Sequence, residues 1–264
     1  MTATLAPATG LVTTSPLERI NPVARLLAAL LLAAVLVMSI DPVSAGVALI
    51  LEIPLVLMSG LGWRGFWART WPVWIAAPLA GLTVALYGRA GGAVLFEWAL
   101  IRISEGSLLL SLATVLRVLA IALPGIVLFA RVDPTDLADG LAQVLRLPSR
   151  FVLGALAAFR LLGVLRDDWR ALELARRARG IADRGRIRRF AGMAFALLVL
   201  SIRRGSTLAT AMEARGFGGD TPRTWARESR FGANGWLLLV ATGVVGGIAV
   251  AVAVLTGAWT FVVQ

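Results

Sequence analysis

Five long runs of apolar residues restrict this chain to the class of membrane proteins. They cover Leu26–Ile40, Ala45–Leu61, Trp71–Tyr87, Leu108–Ala130 and Trp236–Val263. A helix of about 20 apolar residues crosses the ~30 Å hydrocarbon core of a bilayer, where the backbone must satisfy its own hydrogen bonds. The chain is 58% hydrophobic and 16% charged, whereas soluble domains have about 45–50% and about 25%. The sequence therefore predicts an all-α, polytopic membrane protein with about five transmembrane helices.

The residue types that are missing exclude most catalytic chemistry. The chain has no Cys and no His, and all 26 basic residues are Arg. Without Cys and His there is no thiolate nucleophile, no His-dependent triad and no usual transition-metal site. Without Lys there is no Walker A phosphate loop and no lysine Schiff base. We therefore predict that the chain is not an enzyme and that it holds no cofactor and no metal.

Positive charge is concentrated in one segment between the fourth and the last apolar run. Arg146–Arg230 contains 18 Arg and 7 acidic residues, whereas the rest of the chain has 8 of each. The positive-inside rule predicts that such a segment lies in the cytoplasm. Arg64 and Arg69, between the second and third runs, favour the same side of the membrane, and so does Arg25.

The composition predicts four segments along the chain. They are a flexible N-terminus at 1–17, transmembrane helices at 18–130, a cytoplasmic domain at 131–230 and a C-terminal transmembrane helix at 231–264. Within the second segment, Gly88–Glu105 carries several glycines between apolar runs. This stretch is predicted to be a loop or a shallow re-entrant piece.

Two units inside the basic segment each begin apolar and end rich in Arg. In the first unit, Phe151–Leu165 leads into a stretch whose apolar residues recur at helical spacing, which predicts one helix of nearly 30 residues. The second unit, Phe190–Arg215, repeats the plan. The apolar halves, Phe151–Leu165 and Phe190–Ile202, leave it open whether part of each helix is embedded in the membrane.

Both units end in the same tripeptide. Ala178-Arg179-Gly180 closes the first unit and Ala214-Arg215-Gly216 closes the second, 36 positions later. Gly just after a helix and Arg in its last turn are typical of an ordinary helix end. An exposed Arg on a rigid helix tip is also suited to an acidic groove on another protein. The repetition at two helix tips favours this second interpretation.

Several motifs resemble one family of membrane proteins. Ala211–Phe217, with the sequence AMEARGF, resembles the signature of the transmembrane T component of energy-coupling factor (ECF) transporters. Asn21–Leu27, with the sequence NPVARLL, is similar to that family's pattern at the head of the first span, and Ala175–Gly180 resembles the first Ala-Arg-Gly copy. The resemblance covers most of the chain.

The resemblance implies the coupling subunit of an ECF-type ABC importer for a vitamin or a metal ion. A T component links two ABC ATPase subunits to a small substrate-binding membrane protein, the S component. The two tips, Ala178-Arg179-Gly180 and Ala214-Arg215-Gly216, are then expected to dock on the ATPases. ATP hydrolysis by these partners would move the long helices, the two coupling helices, and so the S component, in the plasma membrane of a prokaryote.

Two ionisable residues fall within the predicted spans. Glu52 lies in the second apolar run and Arg117 lies in the middle of the fourth; ionisable side chains in lipid usually face the protein interior and mark function. We expect Arg117 to be the partner of Glu52 in a buried pair or polar contact with a structural role. A proton relay stays open, and with it a secondary, proton-coupled transporter that uses both residues.

A third interpretation is a membrane scaffold whose basic segment recruits lipid or a soluble partner. Nucleic acid is not an expected partner, because the basic segment has few aromatic residues on which bases could stack.

Overall fold

The computed structural model describes residues 15–88, 91, 93–98, 101–180, 185–219 and 224–259. A 3-10 helix covers Pro16–Arg19, and the α-helices and strands in chain order are α1 (Pro22–Val37), α2 (Pro42–Met58), α3 (Trp63–Tyr87), β1 (Val94–Trp98), β2 (Ile101–Ser104), α4 (Glu105–Phe129), α5 (Pro134–Gln143), α6 (Ser149–Ala178), α7 (Arg186–Ala214) and α8 (Gly232–Leu255). These helices confirm the predicted all-α, polytopic fold. The chain divides into two compact units, Met1–Leu137 with Arg230–Gln264 and Ala138–Ser229.

Four helices of the described residues are long and apolar enough to cross a membrane, namely α3, α4, α7 and α8. The helices α1 and α2 are apolar but have only 16 and 17 residues, or about 24–26 Å at 1.5 Å per residue. Each of the five predicted runs overlaps one of α1, α2, α3, α4 and α8. The number of spans stays a prediction.

Side-chain caps determine where three helices of the first unit begin. The side chain of Asn21 accepts a hydrogen bond from the Val23 N–H before α1, and that of Asp41 accepts one from the Ser44 N–H before α2. Proline follows both caps, at the position where a missing N–H costs nothing. Ser104 caps α4 in a reciprocal capping box with Ser107.

Two boundaries differ from the sequence-based expectation. The stretch Gly88–Glu105 is not simply a loop or re-entrant piece, because Val94–Trp98 and Ile101–Ser104 pair as an antiparallel hairpin in which Glu97 stands opposite Arg102. The prediction missed the strands because the flanking glycines outweighed the apolar alternation. In addition, α3 begins at Trp63, eight residues before the predicted run, because the Trp- and Arg-containing stretch forms its first turns.

Close packing of the first unit uses small residues at helix contacts, as is usual in membranes. A Cβ built on Gly81 of α3 would lie 2.4 Å from a methyl group of Val115 in α4, and the Ser111 hydroxyl donates to the Gly81 carbonyl at 2.7 Å. Gly246 of α8 packs in the same way against Val35 of α1, where a Cβ would lie 3.2 Å away. Substitutions at Gly81 would therefore push α3 from α4.

Hydrogen bonds from two arginines connect the ends of several helices at one end of the first unit. Arg131, just after α4, donates to the Glu18 carboxylate at 2.7 Å and to the Gly60 carbonyl at 3.1 Å. The hydrogen bond from Arg131 holds the pKa of Glu18 below its ordinary value. Buried Arg25 donates twice to the Ile20 carbonyl. The start of α1, the end of α2 and the end of α4 therefore meet here.

The predicted flexible terminus at 1–17 falls mainly on residues 1–14, which lie outside the described residues. Beyond them, Pro16–Arg19 forms the 3-10 helix, and its Leu17 is buried with Ala28 and Val127 in an apolar core. Burial of Leu17 therefore anchors the chain just before α1.

The second unit contains most of α5, all of α6 and all of α7. Ala138 and Ala142 of α5 form a small apolar core with Val152 of α6, and Trp225 packs against this core. Gln143 adds two hydrogen bonds to the backbone of the 227–229 segment. The sequence did not predict α5 as a separate helix.

Candidate functional site

The long helices α6 and α7 are largely exposed along their whole length. They have 30 and 29 residues, and among their described residues only Val152 and Met193 are buried. Large apolar side chains such as Phe159, Leu162 and Phe195 are more than half exposed. An exposed apolar surface of this kind in a folded protein marks contact with lipid or another protein.

Each predicted tripeptide forms the C-terminal cap of its helix. Arg215 is the C-cap residue of α7, and Gly216 follows with a φ of 81° in the left-handed region. The Gly216 N–H donates to the Glu213 carbonyl at 2.8 Å and the Phe217 N–H donates to the Met212 carbonyl at 3.0 Å. These are the two hydrogen bonds of a Schellman cap. The cap holds the backbone at Arg215 in one conformation.

The first tripeptide forms one of these two cap hydrogen bonds among the described residues at the end of α6. Arg179 is the cap residue, Gly180 has a φ of 67°, and the Gly180 N–H donates to the Arg177 carbonyl at 3.0 Å. Among the described residues, no heavy atom is found within 4 Å of a Cβ built on Gly180 or Gly216. Backbone conformation therefore requires glycine there. The predicted interpretation as helix caps therefore holds at both tips.

The cap alone does not explain the two arginines. All six residues of the tripeptides, Ala178, Arg179, Gly180, Ala214, Arg215 and Gly216, are exposed. In the part of the chain that the structure describes, the side chains of Arg179 and Arg215 form no hydrogen bond and no ion pair. Each tip thus presents a free guanidinium, with five N–H donors in a planar fork that suits carboxylates.

A groove of about 990 Å³ lies beside the tip of α7. Leu156, Leu161 and Met212 contribute apolar side chains to its lining, from the first half of α6 and the last turns of α7. Arg150 and Arg160 line it together with the Arg215 tip. These three arginines make the lining of the groove positively charged.

Arg117, one of the two predicted intramembrane polar residues, forms a hydrogen bond with a backbone carbonyl of α1 and not with Glu52. Its Nε donates to the Leu36 carbonyl at 2.9 Å, in the last turn of α1, where helix carbonyls lack partners. The charge of Asp41, the cap of α2, also acts on Arg117. Sequence reasoning missed Asp41, although Asp followed by Pro is a typical helix start.

Glu52 is a buried acidic residue of α2. It lies in α2 with 4% of its surface exposed, and neither carboxyl oxygen has a hydrogen-bond partner among the described residues. The expected pair between Glu52 and Arg117 is therefore wrong. Sequence alone could not place them, because the relative depth of α2 and α4 depends on how these helices pack.

Replacing Glu52 by Leu is expected to stabilise the protein. A buried carboxyl without a partner costs about 1–3 kcal/mol, and a leucine of similar size removes this cost. Thermal unfolding of the purified protein in detergent micelles measures the change as a higher Tm. Glu52→Gln is the matched control, and it should change the Tm less because it keeps a buried polar group. A lower Tm for Glu52→Leu would contradict the expectation and indicate a ligand of the carboxyl.

Metal chemistry finds no support in the described residues. No group of three or more His, Cys, Asp or Glu side chains that could hold a metal ion occurs among them. The candidate site is the pair of helix tips, whose Arg179 and Arg215 are exposed.

Comparison with known proteins agrees with the motifs. The model of the CbiQ family, described as a cobalt transport protein, matches residues 13–225. The chain is 29% identical over 178 residues to the energy-coupling factor transporter transmembrane protein EcfT of Limosilactobacillus fermentum, covering 62% of this chain and 65% of that protein. For EcfT of Exiguobacterium sibiricum the identity is 30%, over 58% of this chain and 64% of that protein. These alignments span slightly less than two thirds of the two relatives.

A longer alignment covers nearly the whole of another relative. EcfT of Listeria innocua is 26% identical over 246 residues, which cover 88% of this chain and 92% of that protein. The family match contains α1 to α7 and both Ala-Arg-Gly tips. Because the CbiQ model matches most of its length, this chain belongs to the CbiQ family of cobalt transport proteins and is a multi-pass transmembrane component of the ECF transporter type.

Proposed function

We propose that this chain is the coupling subunit of an ECF-type ABC importer in a prokaryotic plasma membrane. The observation that carries the proposal is the pair of capped, exposed tips, in which Arg179 and Arg215 present free guanidinium groups at the ends of two long helices. We infer that two ABC ATPase subunits bind these tips, one tip for each subunit. An Arg fork fits a carboxylate with two parallel hydrogen bonds, which fixes direction as well as distance.

Motion then passes from the tips to the membrane. Helices of 30 and 29 residues are about 45 Å long, and a stiff element moves as one piece when its end is displaced. The exposed apolar surfaces of α6 and α7 are the surfaces on which a small substrate-binding S component would dock. ATP binding and hydrolysis by the partners would reorient that component and release a vitamin or a metal ion inward.

The charge distribution supports a cytoplasmic position for the basic segment. The 18 Arg of Arg146–Arg230 exceed its 7 acidic residues, and excess Arg near membrane spans stays on the cytoplasmic side. In this arrangement the chain needs no catalytic group of its own, since hydrolysis belongs to the ATPases.

A pull-down from native membranes tests the proposal. The tagged chain is solubilised in mild detergent, and the proteins that co-purify are identified. We expect an ATPase pair and a small membrane protein, and the identity of the small protein would reveal the substrate. Purification of the chain alone, from membranes in which it is stable and folded, would contradict the proposal.

The main alternative is a secondary transporter, which the burial of Glu52 alone favours. It requires Glu52 to carry protons, so Glu52→Leu would abolish uptake. The coupling role predicts instead that Glu52→Leu keeps uptake and ATPase binding.

A further inference from the structure

An ion pair joins α6 to α7 inside the second unit. Both guanidinium nitrogens of Arg204 donate to the carboxylate of Asp168, Nη1 to Oδ2 and Nη2 to Oδ1. The side chains are 40% and 20% exposed, so the pair is partly shielded from water. Two parallel hydrogen bonds between an Arg fork and a carboxylate hold a defined orientation. The pair therefore fixes how the two helices cross.

Few other contacts can set that crossing. Apolar packing is sparse, because Val152 and Met193 are the only buried residues among those described in the two helices. The ring contact between Trp169 and Phe190, at 5.5 Å between centroids, lies in the first turns of α7. The second ion pair between the helices, Glu173 with Arg189 at 3.8 Å, lies there as well.

The Asp168–Arg204 pair lies farther along α7 than these contacts. Among the ion pairs of the described residues, it alone links α6 to the half of α7 that ends in Arg215.

The pair also stands at the same distance along the chain from both tips. Arg179 follows Asp168 by 11 positions, and Arg215 follows Arg204 by 11 positions. Each tip is therefore about 16 Å along its helix from the ion pair. A rotation of about 10° about the pair would move each tip by about 3 Å over an arm of this length.

We propose that Asp168 and Arg204 form a brace that sets the separation of the two Ala-Arg-Gly tips. Asp168 and Arg204 are positioning residues, since they act through Arg179 and Arg215 rather than on a partner. The functional meaning of the brace rests on the proposed function, because two docked ATPases require a fixed spacing between the tips. The brace itself is a property of this chain alone.

The charge balance predicts what happens when the brace is broken. Together α6 and α7 contain 11 Arg and only 4 acidic residues. Loss of the pair removes this attraction and leaves 10 Arg and 3 acidic residues on the two helices, so electrostatic repulsion favours spreading of the helices. The separation of the tips then increases or becomes variable.

Distance measurement between two spin labels tests the brace directly. The chain has no cysteine, so Leu174→Cys and Thr210→Cys give two specific labelling sites, each exposed and five positions before its tip. The labelled protein is reconstituted in lipid nanodiscs, and pulsed electron paramagnetic resonance records the distance distribution. The test variant is Asp168→Asn/Arg204→Gln.

The matched control is Asp167→Asn/Arg203→Gln. It removes the same two charges one position earlier on each helix, at exposed residues that form no ion pair in the described structure. We expect a mean shift of about 3 Å or more, or a clearly broader distribution, for the test variant and the wild-type distribution for the control. The exchanged variant Asp168→Arg/Arg204→Asp should return to the wild-type distance.

Two results would overturn the brace. One is a test variant whose distribution equals that of wild type. The other is an exchanged variant that folds but does not recover the wild-type distance. This second result tests the brace even if the Asp168→Asn/Arg204→Gln variant fails to fold.

ATPase co-purification separates the brace from the proposed function. With the tips intact, we expect the Asp168→Asn/Arg204→Gln variant to bind the ATPases about tenfold more weakly, rather than to lose them. If the wild-type chain binds no ATPase, the proposed function fails, whereas the distance measurement still decides whether the brace exists.

Discussion

Reversing the charge of both tips, with Arg179→Glu and Arg215→Glu, is expected to abolish binding of the ATPases while the protein still inserts and folds. A buried interfacial Arg contributes about 2–4 kcal/mol when it is an energetic hot spot. Loss of two such contacts, together with new repulsion from acidic grooves, weakens binding by about a thousandfold or more. Co-purification from solubilised membranes, followed by quantification of the ATPases against the tagged chain, measures the effect.

The matched control is Arg170→Glu with Arg203→Glu. These exposed residues lie on α6 and α7, one on each helix, and the control changes the net charge by the same amount. We expect the control to retain the ATPases. Equal loss in both variants would show that total positive charge drives recruitment, which is the behaviour of a basic scaffold. Retention in both would leave the tips as ordinary helix caps.

Replacing Arg117 by Met is expected to destabilise the first unit by about 1–3 kcal/mol. The substitution removes the donor to the Leu36 carbonyl and leaves Asp41, which is 2% exposed, without a nearby positive charge. Removal of the donor from a buried hydrogen bond costs about 1–3 kcal/mol because the remaining carbonyl stays desolvated. The midpoint of denaturation in detergent micelles measures the change.

A double-mutant cycle shows whether Asp41 is the reason. Asp41→Asn keeps a good helix cap but removes the buried charge, so Arg117→Met should cost less in that background. Arg69→Met, at an exposed site whose guanidinium donates within α3, removes an equal charge and should have little effect. Additive costs of the Asp41 and Arg117 substitutions would contradict the electrostatic link between them.

Sequence reasoning succeeds here where one physical requirement dominates. Apolar length predicts α1 to α4 and α8, because lipid leaves the backbone no other solution. Helical spacing predicts α6 and α7 with nearly their observed lengths, and Gly180 and Gly216 mark their ends because a left-handed cap favours glycine. The tips are thus readable from local signals alone.

Contacts between elements are not readable in this way. The sequence could place Arg117 in α4. The group that Arg117 contacts depends on the depth of the α1–α2 turn relative to α4, which the sequence does not give. Glu52 was the expected partner because it also lies within a predicted span. The Asp168–Arg204 pair is equally hidden, because Asp167 and Arg203 carry the same charges one position away. Only the rotation of each helix decides which of two adjacent residues faces the partner helix.

The short helices α1 and α2, and the turn that joins them, have a consequence for the bilayer itself. Arg117 lies halfway along α4 and reaches Leu36, so the α1–α2 turn stands level with the middle of α4. From there α4 continues for 12 residues toward its start, or about 18 Å. Lipids beside α1 and α2 would therefore meet a shorter apolar surface than lipids beside α4, and we expect the adjacent leaflet to thin to match it. A membrane partner that reorients beside these two helices would then do so in a thinner part of the bilayer.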